Sequence, residues 1–124
     1  MTFVADIKRL HIEPTTVCQA ECPMCIRTIL GYHNGTMENK ELSFNQFKTL
    51  VKPLIHNLDH VQFCGNFGDP IACKDLRIMM LWIGQMNQQT HISIHTNGGI
   101  GSTKLWTHIA YLTRSNPASR VIFA

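Results

Sequence analysis

The 124-residue sequence lacks a long hydrophobic run, a dense basic cluster and a Pro/Gly-rich linker. Its most apolar stretch, residues 78–83, is far shorter than the ~20 apolar residues that a bilayer span requires. Lys8 and Arg9 form the densest basic pair, which is too little for a nucleic-acid or membrane footprint. These absences argue against a membrane protein and against a dedicated nucleic-acid-binding protein.

Charge is also scarce, because Asp, Glu, Lys and Arg make up only 15% of the chain and the net charge is +3. The hydrophobic fraction of 44% is that of an ordinary globular protein, and the length fits one domain over residues 1–124. Asp6, Lys8 and Arg9 stand where a signal peptide would place its apolar run. We therefore expect a cytoplasmic protein in a reducing environment.

Four segments predict β-strands, centred near His11, Gln62, Ser93 and Ile122. The last two steps between them are about 30 residues each, the length of a βαβ unit. The first three strands alternate apolar and polar residues, whereas a doubly wound sheet would show continuously apolar strands. The alternation predicts an open or barrel-like α/β sheet whose polar inner face lines a functional cavity. The alternative is a sheet with an ordinary polar surface.

Apolar residues at helical spacing predict three helices between these strands. The first follows Ser43, which matches a capping box with Gln46, and Pro53 should kink or break it. The second runs over about residues 74–88, and the third begins near Ser102 and ends before a turn at Asn116. The pattern is therefore about (β/α)3 followed by a fourth strand.

The fourth strand covers residues 120–124, where the sequence given ends. An apolar parallel strand with no following helix leaves an open edge. We therefore expect a fragment or an incomplete barrel. Pairing of this edge with another chain, and hence self-association, is a further expectation.

Five cysteines in a reducing compartment favour metal or redox chemistry over disulfides, and three of them crowd into eight residues. Cys18, Cys22 and Cys25 form a C-x3-C-x2-C pattern directly after the first strand. Zinc usually takes four protein ligands, whereas three cysteines on an iron–sulfur cube leave one iron open to another ligand. Both readings remain open at this point.

A zinc site would need a fourth ligand, for which Cys64, Cys73 or His33 are the candidates. Ordinary packing is the favoured interpretation for Cys64, as a small residue lining the polar face, and for Cys73, as a buried residue.

The segment from Ile12 to Cys25 resembles the signature of the radical S-adenosylmethionine enzymes. The resemblance implies that Cys18, Cys22 and Cys25 hold a [4Fe-4S] cluster whose fourth iron binds S-adenosylmethionine. An electron donor would reduce the cluster, and cleavage of S-adenosylmethionine would give a 5′-deoxyadenosyl radical that abstracts hydrogen from a substrate. The resemblance also implies a fold, a partial TIM barrel of (β/α)6 type with a polar inner face.

Two further segments match motifs of that family. Residues 63–70 resemble its Gly-Gly-Glu-Pro motif, with Gly68 and Asp69 on the second glycine and the glutamate and Phe67 in place of the first glycine. Residues 95–99 resemble its Thr-Asn-Gly motif at the end of the third strand. Met24 stands where the family commonly has an aromatic residue. In the family, this position tends to contact the cofactor through its backbone. The resemblance thus implies six cofactor-binding residues: Met24, Gly65, Gly68, Asp69, Thr96 and Asn97.

Local turn chemistry offers a plainer interpretation of part of this set. Asp69 precedes a proline and could simply begin a turn, and Thr96 with Asn97 could simply end a strand. Gly65 and Gly68 would in either case allow close backbone approach. The sequence identifies neither a substrate nor a catalytic residue, and the family's fifth and sixth strands have no counterpart. The alternative function is a non-catalytic iron–sulfur or zinc-binding module, unable to bind S-adenosylmethionine.

Overall fold

The computed structural model describes residues 6–31 and 37–123. Within these ranges, four strands form one parallel sheet in the order β1-β2-β3-β4, so each strand lies beside its neighbour in sequence. The strands are β1 (Arg9–Ile12), β2 (His60–Phe63), β3 (His91–Thr96) and β4 (Arg120–Phe123). All four strands that the sequence predicts are confirmed, although Ala124 lies outside the described residues.

Among the described residues, four α-helices and two short 3-10 helices connect the strands. The α-helices are α1 (Ile26–Ile29), α2 (Phe44–Val51), α3 (Leu76–Met86) and α4 (Thr103–Ser115). The 3-10 helices are Ile55–Asn57 and Pro70–Ala72. The sequence patterns predict α2, α3 and α4, whereas the four-residue α1 is too short to give a periodic signal.

Local capping signals set the ends of the predicted helices. Ser43 and Gln46 form the expected capping box at α2, and the Ser102 side chain accepts from the Leu105 backbone N–H at α4. α2 ends at Val51, two residues before Pro53, as the missing N–H of proline requires. α3 begins two residues later than predicted, after Asp75, whose carboxylate accepts from the Phe44 N–H rather than capping α3.

One hydrophobic core lies between the sheet and the helices. Strand register aligns Leu10, Val61 and Ile92 in one row, and Ile12, Phe63, Ile94 and Val121 in the next. These rows join the buried faces of α2, α3 and α4 in a single cluster, which includes Phe47, Met79 and Leu105. The three longer helices therefore cover the same, apolar face of the sheet.

Sequential parallel strands with their helices on one face produce the winding of a β/α barrel rather than that of a doubly wound sheet. The structure is thus an α/β fold consistent with a partial barrel. Its opposite face carries the polar residues of the strand alternation and lines an open cavity of about 610 Å³. Within the described ranges, no helix combines the length and apolar character needed to cross a bilayer.

Candidate functional site

The three clustered cysteines lie on an irregular loop between β1 and α1. Their thiols are free, with Cys22 exposed and Cys18 and Cys25 half-buried. Cys25 occupies the N-cap position of α1, and its backbone N–H donates to the Cys22 carbonyl at 3.0 Å. A turn thus joins the last two cysteines of the pattern.

The start of this loop is held by backbone pairing with the segment before α2. Thr15 forms an antiparallel bridge with Glu41, and the Leu42 N–H donates to the Pro14 carbonyl at 2.7 Å. The Thr16 N–H donates to the Lys40 carbonyl at 2.9 Å. Since both segments lie next to the sheet, the cysteine loop leaves β1 along a fixed path.

Arg27 connects the cysteine loop to the loop that follows β2. Its side chain is buried, and its Nη1 donates to the Thr16 carbonyl and, at 3.1 Å, to the Phe67 carbonyl. A buried guanidinium needs such acceptors, because an unpaired charge would be strongly unfavourable. Sequence reasoning missed this residue, although an arginine two positions after the third cysteine was visible.

The loop after β2 lies directly against the cysteine loop at Gly68. A Cβ atom on Gly68 would lie 2.7 Å from the Thr15 carbonyl carbon, and one on Gly65 would meet the Gly68 carbonyl. The Asp69 N–H donates to the Val17 carbonyl at 2.8 Å across the same contact. The predicted close backbone approach is therefore present here, and it is between two loops of the chain itself.

Asp69 ties this loop to the end of β3. Its buried carboxylate accepts from the Thr96 hydroxyl at 2.7 and 2.9 Å and from the Asn97 N–H at 2.8 Å. It also accepts from the Ile71 N–H at 3.0 Å, where it caps the 3-10 helix after Pro70. Asp69 thus does begin a turn, as local chemistry predicts, and it also braces the predicted Thr-Asn-Gly segment.

Asn97 completes the connection by reaching back to the cysteine loop. Its Nδ2 donates to the Cys18 thiol at 3.6 Å, a reach that sulfur as acceptor allows. Its Oδ1 accepts from Gln19 Nε2 at 2.6 Å and from the Gly99 N–H at 2.8 Å. The three segments picked out in the sequence therefore meet at the carboxyl edge of the sheet.

Met24 is the one predicted cofactor-binding residue that stands apart from these contacts. Its side chain is 89% exposed at the outer end of the cysteine loop. The exposed apolar residues Ile26, Ile29 and Leu30 follow it along the chain. Contact of the cofactor with the backbone of Met24 rather than with its side chain remains a prediction.

The three thiols are not yet gathered around a common centre. Among the residues the structure describes, no three His, Cys, Asp or Glu side chains are placed to hold a metal ion. The donor set nevertheless suits a soft metal or an iron–sulfur cluster, since it offers three free cysteines on one loop without regular structure. Binding would require the loop to draw the thiols together.

Deprotonation of the thiols would accompany that rearrangement. Burial raises the pKa of the Cys18 thiol, and the nearby Asp69 charge raises it further. Metal ligation needs the thiolate, so binding at Cys18 must displace a proton.

The other candidate zinc ligands lie elsewhere in the fold. Cys64 follows β2 and pairs with His11 Nε2 at 2.6 Å. Cys73 is buried behind the apolar face, where burial raises its thiol pKa to about 11. The expected packing role of Cys73 is confirmed, and His33 lies outside the described residues.

No protein-family model and no curated protein sequence matches the chain. Among solved structures, it is similar to the crystal structure of BtrN in complex with AdoMet and 2-DOIA, with a TM-score of 0.67. The alignment covers 94% of this chain and 45% of BtrN, so the chain spans less than half the length of that protein. At 20% identity, the similarity establishes that the two proteins share a fold.

Proposed function

We propose that this chain is a radical S-adenosylmethionine domain in which Cys18, Cys22 and Cys25 hold a [4Fe-4S] cluster. The observation that carries the proposal is the contact of Asn97 with Cys18, through which the Thr-Asn-Gly segment meets the cysteine loop. These residues are 79 positions apart in sequence, so their contact is a property of the fold. The fold shared with BtrN, solved in complex with AdoMet, supports the same assignment.

The bound cluster would supply the electron that cleaves S-adenosylmethionine and so generates the 5′-deoxyadenosyl radical for hydrogen abstraction from a substrate. The chain's own residues position these groups. Gly68 lets the loop after β2 pack directly on the Thr15 backbone, and Gly65 lets that loop fold back on itself, so the loop is held beside the cysteine loop where the cofactor would bind. Backbone atoms around Met24 would contribute the remaining contact from the cysteine loop.

Asp69 contributes to this site as a brace rather than as a direct ligand. Its carboxylate is occupied by Thr96, Asn97 and Ile71, so it fixes the relative positions of the loops after β2 and β3. Thr96 is buried with it, whereas Asn97 is half-buried and faces the cysteine loop. Of these three residues, Asn97 has the side chain that is best placed to reach a bound cofactor.

Asn97 would also influence the cluster itself. A hydrogen bond to a ligating sulfur is one of the factors that set the reduction potential of an iron–sulfur cluster. The Asn97 amide already lies 3.6 Å from the Cys18 sulfur. An external electron donor is part of the proposal, while the substrate is left open and we assign no catalytic residue.

A metal-binding module without radical chemistry is the second candidate. It is favoured by the donor set, since free cysteine thiols on one loop are also ligands for zinc. Zinc would bind such a loop without any need for S-adenosylmethionine. The two candidates differ in the metal taken up and in the response to the cofactor.

Anaerobic reconstitution with iron and sulfide tests the proposal. We expect about four iron and four sulfide per chain and formation of 5′-deoxyadenosine with a reductant and S-adenosylmethionine. Cys22→Ala should abolish cluster uptake, whereas the matched variant Cys73→Ala should retain it because Cys73 is buried away from the loop. Tight zinc uptake without iron loading would contradict the proposal and favour the metal-binding module.

A further inference from the structure

The polar face of the sheet carries a group of basic residues near the amino ends of the strands. Strand register places Arg9 beside His60, and His60 beside His91. Arg120 on β4 pairs with Ser93, one layer further along the same face. Two arginines thus flank two histidines across the full width of the sheet, and we call these four residues the basic face.

The basic face lines the open cavity of about 610 Å³. That volume lies within the usual range for small-molecule sites, roughly 300–1,000 Å³. Asp59 is the acidic residue among those that line the cavity, and its carboxylate forms no ion pair with described residues. The cavity is therefore surrounded by an excess of positive charge.

Both arginine side chains are available to bind a ligand. Arg9 and Arg120 are exposed, and within the described ranges the ion pairs are His11–Glu13 and Lys40–Glu38. A free guanidinium presents a planar fork of N–H donors that matches the oxygen atoms of a phosphoryl group. Arg9 and Arg120 lie on the two outer strands and both line the cavity, so their guanidinium groups can bind one ligand from opposite sides.

His60 lies between the two arginines, and its pKa responds to the charges around it. One of its ring nitrogens, Nε2, lies 2.7 Å from the Ser93 hydroxyl, which fixes the orientation of the ring. Burial lowers the pKa of His60, and the positive charges of Arg9, His91, Arg120 and His95 lower it further. The centre of the basic face is therefore a place where a negative charge would be stabilised.

We propose that the basic face binds the phosphoryl group of a small-molecule ligand. Arg9 and Arg120 donate to the oxygen atoms of this group, and His60 and His91 lie between the two arginines. A phosphoryl group offers three terminal oxygens and up to two negative charges, which suits two opposed guanidiniums. A carboxylate offers two oxygens and one charge, which a single fork already satisfies.

The position of the basic face indicates how such a ligand would relate to the cysteine loop. His91 begins β3 and Thr96 ends it, a separation of about 17 Å at the usual rise per residue. A ligand anchored by its phosphoryl group at the amino ends could therefore extend along the polar face to the carboxyl edge. The assignment of this ligand as the substrate rests on the proposed function, whereas phosphoryl binding itself does not.

Titration calorimetry on the full chain, without any metal added, tests phosphoryl binding. The probes are inorganic phosphate and the phosphomonoester glycerol 3-phosphate, with acetate as the carboxylate comparison. We expect both phosphoryl probes to bind and acetate to bind at least about tenfold more weakly. Arg9→Gln and Arg120→Gln should each weaken phosphoryl binding about tenfold, as the loss of one charge-assisted contact predicts.

Arg114→Gln is the matched control, because Arg114 is an exposed arginine in the last turn of α4 and does not line the cavity. Equal affinities in all four proteins, or acetate binding as tightly as phosphate, would overturn the proposal. Binding of free phosphate with exclusion of the ester would also overturn it, since the ligand would then not be an esterified small molecule. Circular dichroism of each variant establishes that a lost affinity is not a lost fold.

The same chain, reconstituted with iron and sulfide, separates this proposal from the proposed function. Unchanged cluster loading and 5′-deoxyadenosine formation in Arg9→Gln and Arg120→Gln are expected, because neither residue contacts the cysteine loop. Failure of wild-type phosphoryl binding in an active cofactor-binding chain would overturn the basic-face proposal alone. Phosphoryl binding in a chain that takes up no cluster would overturn the proposed function alone.

Discussion

The two faces of the sheet differ in both burial and chemistry. On the apolar face, Val61, Phe63, Ile92 and Ile94 are no more than 1% exposed and pack against three helices. On the polar face, His11 and the basic residues are half-buried or exposed and line a cavity. The apolar face therefore carries most of the stability, and the polar face can contribute side chains to ligand binding.

The largest effect should separate the two faces at adjacent positions of β2. Phe63→Ala removes a fully buried ring that packs on Phe47, with ring centroids 6.0 Å apart, and should lower the free energy of unfolding by about 3–5 kcal/mol. Gln62→Ala, on the polar face, should change it by less than about 0.5 kcal/mol. Urea denaturation measures both values. Similar losses for the two variants would contradict the division between the faces.

Substitution of Asp69 at the carboxyl edge of the sheet should give the next largest effect. Asp69→Ala leaves the buried Thr96 hydroxyl and the Asn97 N–H without their acceptor, at a cost of about 2–3 kcal/mol. The exposed Asp59 provides the control, since Asp59→Ala removes a carboxylate without such partners among the described residues. Urea denaturation measures the free energy of unfolding of both variants. An equally small loss in Asp69→Ala and Asp59→Ala would refute the bracing role.

Two glycines allow a comparison in which the sign of the effect changes. Gly68→Ala should destabilise the chain by about 1–3 kcal/mol, because the new methyl group would overlap the Thr15 carbonyl. Gly84→Ala, inside α3 with open space around it, should stabilise by about 0.5–1 kcal/mol through helix propensity. Thermal melting measures both shifts. A stabilising Gly68→Ala would show that the two loops do not lie in contact.

The smallest effect concerns acid and the polar face. Burial and neighbouring cations hold the pKa of His60 below 6.5, so the unfolded chain takes up a proton first as the pH falls. The stability that neutral His60 contributes is present above pH 6.5 and is lost as the pH falls towards the folded-state pKa. Stability measured from pH 7.5 to 5 should therefore decline less steeply in His60→Gln than in the exposed control His56→Gln. Equal slopes would contradict the proposed field at the basic face.

Local patterns predict much of this fold and less of the candidate site. Period-two alternation locates the strands, and the Ser43–Gln46 capping box locates α2, because both signals lie within a few residues. The four-residue α1 is too short to show an apolar repeat, and its N-cap residue, Cys25, makes no side-chain hydrogen bond to it. A sequence pattern therefore had nothing from which to predict that helix.

The contacts within the site depend on which strand ends become neighbours. Arg27 finds its acceptors 11 and 40 positions away, and Asp69 finds Thr96 27 positions away. No local signal specifies such pairs, because they follow from the parallel order of the sheet. Resemblance to a family brought Asp69 and Thr96 into one predicted site, but their direct hydrogen bond came only from the structure.

Electron paramagnetic resonance on the reconstituted, reduced chain, with and without S-adenosylmethionine, tests the central claim most directly. We expect a [4Fe-4S] signal whose shape changes when the cofactor is added, since the iron without a cysteine ligand then binds S-adenosylmethionine. Asn97→Ala should keep the signal and weaken this response. A signal that ignores S-adenosylmethionine, or no cluster signal at all, would contradict the claim that the cysteine loop and its neighbouring loops form a cofactor site.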